Sequence, residues 1–245
     1  MKRILIIQSR MRVEVVESER EKYQRTISDK AEVHFISSLD ENRPWHEPPR
    51  MLEGVDGVIF GGSGDFDFDG GREMSDPARV TSKIILERVR PLVEHLLSQD
   101  LPLFGVCYGH QIVAEVKGTA VLHDKEQTKR GSFPVILTQA GVEDAVFGSL
   151  PETFVGQYGH KDSLSGVPDG AVLLANSAIC RASALRYGTS GYTVQFHPEL
   201  SGEDMKSRLL NSPGLLPEGV DIDAIIKQSP EASSLIPNFI DRIVR

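Results

Sequence analysis

Residues 101–113, Leu-Pro-Leu-Phe-Gly-Val-Cys-Tyr-Gly-His-Gln-Ile-Val, decide how the chain is read. The apolar run 103–106 reads as a buried strand, and a helical pattern continues to about Val116. Between them stands Gly105-Val106-Cys107-Tyr108-Gly109, a strand-to-helix turn with glycines flanking the cysteine. Such a turn leaves no room for side chains at the glycine positions and lifts the central residue above the sheet. It also places Cys107 at a helix N-terminus, where the dipole and unbonded N–H groups favour thiolate over thiol. Cys107 is the candidate nucleophile.

A thiol nucleophile needs a base and a group to orient that base. Phe196-His197-Pro198-Glu199 supplies both. Residues two apart at a strand end face the same side, so Glu199 can hold the His197 imidazole while His197 handles the proton. Acyl transfer needs two N–H donors for the oxyanion. The amide of Tyr108, next to the nucleophile, is one. Gly61-Gly62 closes a strand at 55–60 on the same sheet edge, where ligand sites of open α/β sheets lie, and the Gly62 amide is the second.

The rest of the chain fits one large α/β core. It has 245 residues, 40% hydrophobic and 25% charged, with a net charge of −8. That balance and the lack of a Lys/Arg run exclude a nucleic-acid footprint. No apolar stretch approaches the roughly 20 residues of a membrane span, and the N-terminal apolar run is too short for a signal peptide. Cys107 and Cys180 read as reduced thiols, so a cytoplasmic location is expected. Strands are expected at 4–8, 32–36, 55–60 and 103–106, helices at 12–26 and from Asp76-Pro77 onward with a kink at Pro91, and a proline-rich loop at 40–50. This alternation predicts a three-layer α/β/α fold with a mostly parallel central sheet, flavodoxin-like. Short β runs follow at 133–138, 153–157, 171–175, 182–186 and 192–196. Residues 1–200 are expected to form the catalytic domain. Residues 201–245 form a helical extension packed on it, broken at Asn211-Ser212-Pro213-Gly214 and Pro217-Glu218-Gly219.

Together, the Cys107 elbow with His110-Gln111, Phe196-His197-Pro198-Glu199 and Gly61-Gly62 resemble the class I, triad-type glutamine amidotransferases. Thr138-x-x-Gly141 and Gly159-His160-x-Asp162 are most similar to the glutaminase domain of GMP synthetase and its free-standing relatives. The resemblance covers about residues 1–200. It implies the triad Cys107, His197 and Glu199, attack on a γ-glutamyl amide, release of ammonia and hydrolysis of a γ-glutamyl thioester. It further implies that Gln111 and the backbone around Tyr158, Gly159 and His160 hold the substrate's α-amino and α-carboxylate groups. Lys117-Gly118 stands where the family has Gly-Gly, and Gln157-Tyr158 replaces Trp-Met. No Gly-rich phosphate loop follows residue 200. These departures leave open whether a separate synthetase subunit receives the ammonia or the chain hydrolyses γ-glutamyl amides and peptides by itself. A non-catalytic binding module on the same scaffold is a third reading, which an intact triad opposes. The expected ligand is glutamine or another γ-glutamyl small molecule, with no cofactor, metal, nucleic acid or membrane.

The acidic loop 63–76 is a separate question. Asp65, Asp67, Asp69, Gly70 and Asp76 match part of an EF-hand calcium loop. Yet Arg72 takes an apolar position, the last ligand is Asp, and a strand precedes the loop, all against calcium. The expectations are a lid carrying Phe66 and Phe68, or a solvated loop with both rings tucked into the core. His110, His123 and His160 lack the paired spacing of zinc ligands.

Overall fold

The computed structural model describes residues 1–178, 180–211 and 221–245. Its first half is β1 (Lys2–Gln8), α1 (Val13–Ile27), β2 (Ala31–Ser37), the one-turn α2 (Pro48–Met51), β3 (Gly57–Phe60), α3 (Pro77–Ser98), β4 (Leu103–Val106) and α4 (Tyr108–Val116). Then come β5 (Val121–His123), β6 (Lys129–Leu137), α5 (Gln139–Val142), β7 (Thr153–His160), β8 (Asp162–Leu164), β9 (Ala171–Ser177), β10 (Cys180–Tyr187) and β11 (Gly191–Val194). The helices α6 (Gly202–Leu210), α7 (Ile222–Ile225), α8 (Pro230–Ser233) and α9 (Leu235–Arg242) follow.

Nine strands form one sheet in the order β2-β1-β3-β4-β11-β10-β9-β6-β7. Pairing is parallel from β2 to β11 and antiparallel from β11 to β7. The change has a covalent cause. The strands up to β4 are joined through helices, which allows parallel neighbours, whereas the short turn between Tyr187 and Gly191 allows only a reversal. Side chains alternate between two cores, as β1 shows: Ile4 and Ile6 belong with Tyr23 and Ile27 of α1 and Phe239 of α9, while Leu5 and Ile7 belong with Ile85 and Val89 of α3 and Ile112 of α4. The result is a three-layer α/β/α fold on a mixed sheet, of flavodoxin-like type.

Local chemistry accounts for the differences from the sequence expectation. The polar start of β6, Lys129-Arg130-Gly131-Ser132, pairs with His160 to Gln157 of β7 and carries no apolar alternation. The two-stranded β5–β8 sheet has three residues per strand, too few for periodicity. Within 40–50 the prolines start a helical turn, with Pro48 in its first position. The Asp76 side chain accepts from the Ala78 amide at 2.9 Å and caps α3, worth about 1 kcal/mol, and Pro91 does not end that helix. The extension lies against the same sheet, with Phe239 edge-on to Phe104 of β4 at 5.3 Å. Both expected breaks in it fall largely at 212–220, outside the described residues.

Candidate active site

The elbow glycines are sterically required. A Cβ at Gly109 would stand 2.3 Å from the Phe60 carbonyl oxygen, and one at Gly105 would stand 2.9 Å from the Gly109 carbonyl carbon. The sheet edge therefore meets the first turn of α4 at backbone contact. Cys107 sits at φ 51°, ψ −96°, a left-handed conformation that L residues rarely adopt and that costs about 1–3 kcal/mol. Its amide donates to the Val194 carbonyl at 2.8 Å, fastening the turn to the end of β11.

Beyond β11 the chain delivers His197 and Glu199 to the same edge. The His197 amide donates to the Gln157 carbonyl at 2.8 Å, and its Nδ1 lies 2.7 Å from Glu199 Oε1. Both side chains are buried. The Cys107 sulfur interacts with His197 by charge and by a side-chain hydrogen bond. Burial alone would push the thiol pKa up, but His197 and the guanidiniums of Arg208 and Arg10 bring it below its ordinary value. Burial opposes charge on His197 too, yet Glu199 and the cysteine raise its pKa to about 9. Glu199, despite burial, is held below the usual carboxylate range by His197. The arrangement favours thiolate, imidazolium and carboxylate in a row.

The two expected oxyanion donors flank this row. A Cβ on Gly62 would lie 2.8 Å from His197 Cε1, so the glycine backbone is pressed against the imidazole. Tyr108 is the first residue of α4, and its amide has no intrahelical acceptor. The carbonyl of Gly61 accepts from the Gly109 amide at 3.1 Å, which locks the two turns together.

A slot of about 90 Å³ opens over the sulfur, lined by Cys107, Gln111, Gly159, His160, Lys161 and Arg208 among others. Gln111 donates to the Asp162 carbonyl at 2.8 Å. His160 is kept neutral, its pKa pushed down to about 3 by burial, with Nε2 2.9 Å from the Gln127 carbonyl oxygen. Tyr158 does not line the slot with its side chain. Its hydroxyl donates to Ser183 at 2.9 Å and its ring packs 5.7 Å from Phe196, in the core.

Loop 63–76 forms one wall of the slot through Ser63, Gly64, Phe66 and Asp67. Both of its phenylalanines are buried, and Phe68 stacks on Tyr108 at 5.2 Å. The Asp162 carboxylate anchors the loop by accepting from the amides of Asp69 and Gly70 at 2.8 and 2.6 Å. The loop carboxylates diverge: Asp65 to the Met11 amide, Asp67 to Arg72 and Lys161, Asp69 to Arg79. Among the described residues no group of three or more His, Cys, Asp or Glu side chains is placed to hold a metal ion. Cys180 is a buried free thiol, and burial raises its pKa.

Two residues in the site escape a reading of the sequence. Gln195 Nε2 lies 3.7 Å from the cysteine sulfur. Strand alternation with His197 and Glu199 is the available signal for it. Arg208 of α6 reaches His197 Nε2 at 3.3 Å, and no sequence signal marks it. Across Arg208 a wider cleft of about 600 Å³ opens, bordered also by Glu199, Arg10 and Glu19. No helix among the described residues is long and apolar enough to cross a membrane.

Comparison with known proteins agrees with this geometry. The chain is 29% identical over 128 residues to a glutamine-hydrolyzing GMP synthase subunit of Methanocaldococcus jannaschii, covering 52% of this chain and 66% of that protein. It is 34% identical over 114 residues to the protein of the same name from Methanopyrus kandleri, covering 45% and 58%. The match thus spans under two thirds of either relative. In fold it resembles a glutamine amidotransferase from Thermotoga maritima, with a TM-score of 0.71, 20% identity, and coverage of 100% of this chain and 98% of that one. A glutamine amidotransferase from Methylobacillus flagellatus gives a TM-score of 0.70 at 16% identity, with coverage of 100% and 96%. The family described as glutamine amidotransferase class-I matches residues 40–213. That stretch builds the elbow, the histidine–glutamate pair and the slot between them, and the chain belongs to the class I glutamine amidotransferase family.

Proposed function

We propose that the chain hydrolyses the side-chain amide of glutamine through a γ-glutamyl thioester on Cys107. The observation that carries this reading is the row Cys107–His197–Glu199, set by a strained elbow at the carboxyl edge of β4 and β11. The thiolate attacks the amide carbon, forming a C–S bond while the carbonyl π electrons move to oxygen. The amides of Gly62 and Tyr108 stabilise that oxyanion. As it collapses, the C–N bond breaks and His197 Nε2–H protonates the departing nitrogen, which leaves as ammonia. Water then attacks the thioester, His197 takes its proton, and glutamate leaves as the C–S bond breaks. Glu199 holds Nδ1–H throughout, fixing the ring and the tautomer.

The names of the curated relatives support a role as an ammonia-supplying subunit that works with a separate synthetase subunit. The wide cleft beside Glu199 and Arg208 favours a second reading, hydrolysis of larger γ-glutamyl amides and peptides by the chain alone. Steady-state rates with glutamine and a panel of γ-glutamyl dipeptides separate the two. An ammonia donor is slow alone and prefers glutamine, whereas an autonomous hydrolase turns over the dipeptides without a partner. For the chemistry itself, Cys107→Ala should abolish hydrolysis of glutamine and of a γ-glutamyl anilide while thermal unfolding stays cooperative. Wild-type turnover in that variant refutes the thioester route.

A further inference from the structure

Arg208 stands on α6, away from the strands that carry the triad, yet it touches the catalytic base. Its Nη1 is 3.3 Å from His197 Nε2. A Cβ on Gly159 would meet its Cζ at 3.5 Å, and a Cβ on Gly64 would meet its Nη2 at 3.6 Å. The guanidinium therefore bridges the slot from the loop after β3 to β7, and it lines both the slot and the wide cleft.

Its charge is not balanced as its neighbours' charges are. Glu19 holds Arg10 through two N–H groups at 3.0 and 2.7 Å, and Asp67 faces Lys161 at 3.6 Å. Arg208 has no carboxylate in direct contact among the described residues, and its hydrogen bond goes to the imidazole. Burial and the nearby Arg10 work against its charge, and the more distant Cys107, Glu199 and Glu19 offset them only in part. A desolvated cation without a direct counter-ion is costly, and an arriving anion relieves the cost.

The contact with His197 has a chemical consequence. A guanidinium only donates hydrogen bonds, so Nε2 must accept, and a protonated Nε2 offers nothing to accept with. The guanidinium contact and the imidazolium–thiolate pair compete for Nε2, so moving Arg208 off Nε2 further favours the charged base.

Resting on the function proposed above, we propose that Arg208 is the receptor for the α-carboxylate of the γ-glutamyl substrate, and that this carboxylate draws its guanidinium off His197 Nε2. The charges choose between the two clefts. The slot is lined by the cations Arg130, Lys161 and Arg208, which favour a carboxylate, and by Asp67, whose charge suits the α-ammonium group. A carboxylate on the leaving amine would enter the wide cleft, where the carboxylates of Glu14, Glu19, Asp65, Glu199 and Asp204 outnumber the cations Arg10, Arg12, Lys22 and Arg208. Binding of the head group then removes the competitor for Nε2, coupling recognition to catalysis.

The test uses two electrophiles that label Cys107: a glutamine-shaped chloromethyl ketone with its free α-carboxylate, and the same ketone with that carboxylate converted to a carboxamide. Wild-type protein should react with the acid roughly 10- to 100-fold faster than with the amide, the worth of one charge-assisted contact. Arg208→Gln should erase that preference, and Arg208→Lys should retain part of it. Iodoacetamide, which needs no head group, reads the thiolate alone; because Arg208 also lowers the Cys107 pKa, each ketone rate is divided by the iodoacetamide rate of the same variant, and the acid-to-amide ratio is the readout. An acid preference that persists in Arg208→Gln overturns the proposal, as does an absent preference in wild type or equal slowing of all three reagents in folded variants. Failure of both ketones on wild-type protein that iodoacetamide still labels at Cys107 instead removes the glutamine reading beneath it.

Discussion

Glu199→Gln tests the electrostatics of the site with an isosteric change. His197 is buried, and a buried imidazole loses charge unless something compensates. Here its pKa rises from 6.5 to about 9. At 1.36 kcal/mol per decade, that is about 3 kcal/mol of net preference for the imidazolium, with the Glu199 carboxylate the first contributor after burial. Removing its negative charge should return half or more of that preference, roughly 2 kcal/mol. The thiolate then loses its counter-charge, and the carboxamide can present N–H to Nδ1 and invert the tautomer. We expect kcat for glutamine to fall on the order of a hundredfold or more with little change in KM. The midpoint for Cys107 alkylation by iodoacetamide, followed against pH, should move upward by about one unit or more. An unchanged midpoint together with an unchanged kcat refutes the role of Glu199. An unchanged midpoint with a collapsed kcat confines that role to the tautomer.

Other perturbations read other parts of the same edge. Gly109→Ala drives a Cβ to 2.3 Å from a backbone oxygen that cannot swing aside. It should cost roughly 3 kcal/mol, about 6–12 °C in Tm, whereas Gly166→Ala, with nothing within 4 Å, leaves Tm nearly unchanged; equal shifts in calorimetry contradict the packing argument. The pH profile of kcat/KM should rise as Cys107 loses its proton at a lowered pKa and fall near pH 9, where His197 loses the proton it gives to the leaving nitrogen. The sign follows from the raised imidazole pKa: the acid form is present below about 9 and lost above it. A profile still flat at pH 10 is inconsistent with His197 as the acid.

The legible and illegible parts of the molecule differ in how far apart the interacting residues lie in the chain. Gly105, Cys107 and Gly109 constrain one another across one turn, so their spacing writes the geometry into the sequence. His197 and Glu199 share a face by alternation, and the same alternation points back to Gln195. Apolar runs report which strands are buried, which is why β4 stands at 103–106 as expected. The start of β6 is paired by register with β7 and shows no apolar pattern, and β5 and β8 are too short to carry one. Phe66 and Phe68 are ambiguous in the sequence because a ring over a substrate and a ring on the core have the same residue type. Their burial against Tyr108 places both rings on the core, and Phe66 lines the slot as well.

Arg208 lies at the far end of that scale, and its position bears on where specificity resides. A helix such as α6 presents several charged residues, and none announces which one turns inward. What singles out Arg208 is the room that glycines leave at 64 and 159, on segments nearly a hundred residues apart, which admits a guanidinium to the imidazole. On the proposed reading, the elbow, the base and the oxyanion donors act on the amide group alone and are indifferent to what it is attached to. Discrimination among γ-glutamyl compounds must therefore come from groups beyond the triad, here the acidic loop after β3, the end of β7 and α6. Exchanging charge at Arg208 or Lys161 should accordingly alter which compounds are accepted, while exchanging groups at Glu199 alters how fast any of them reacts.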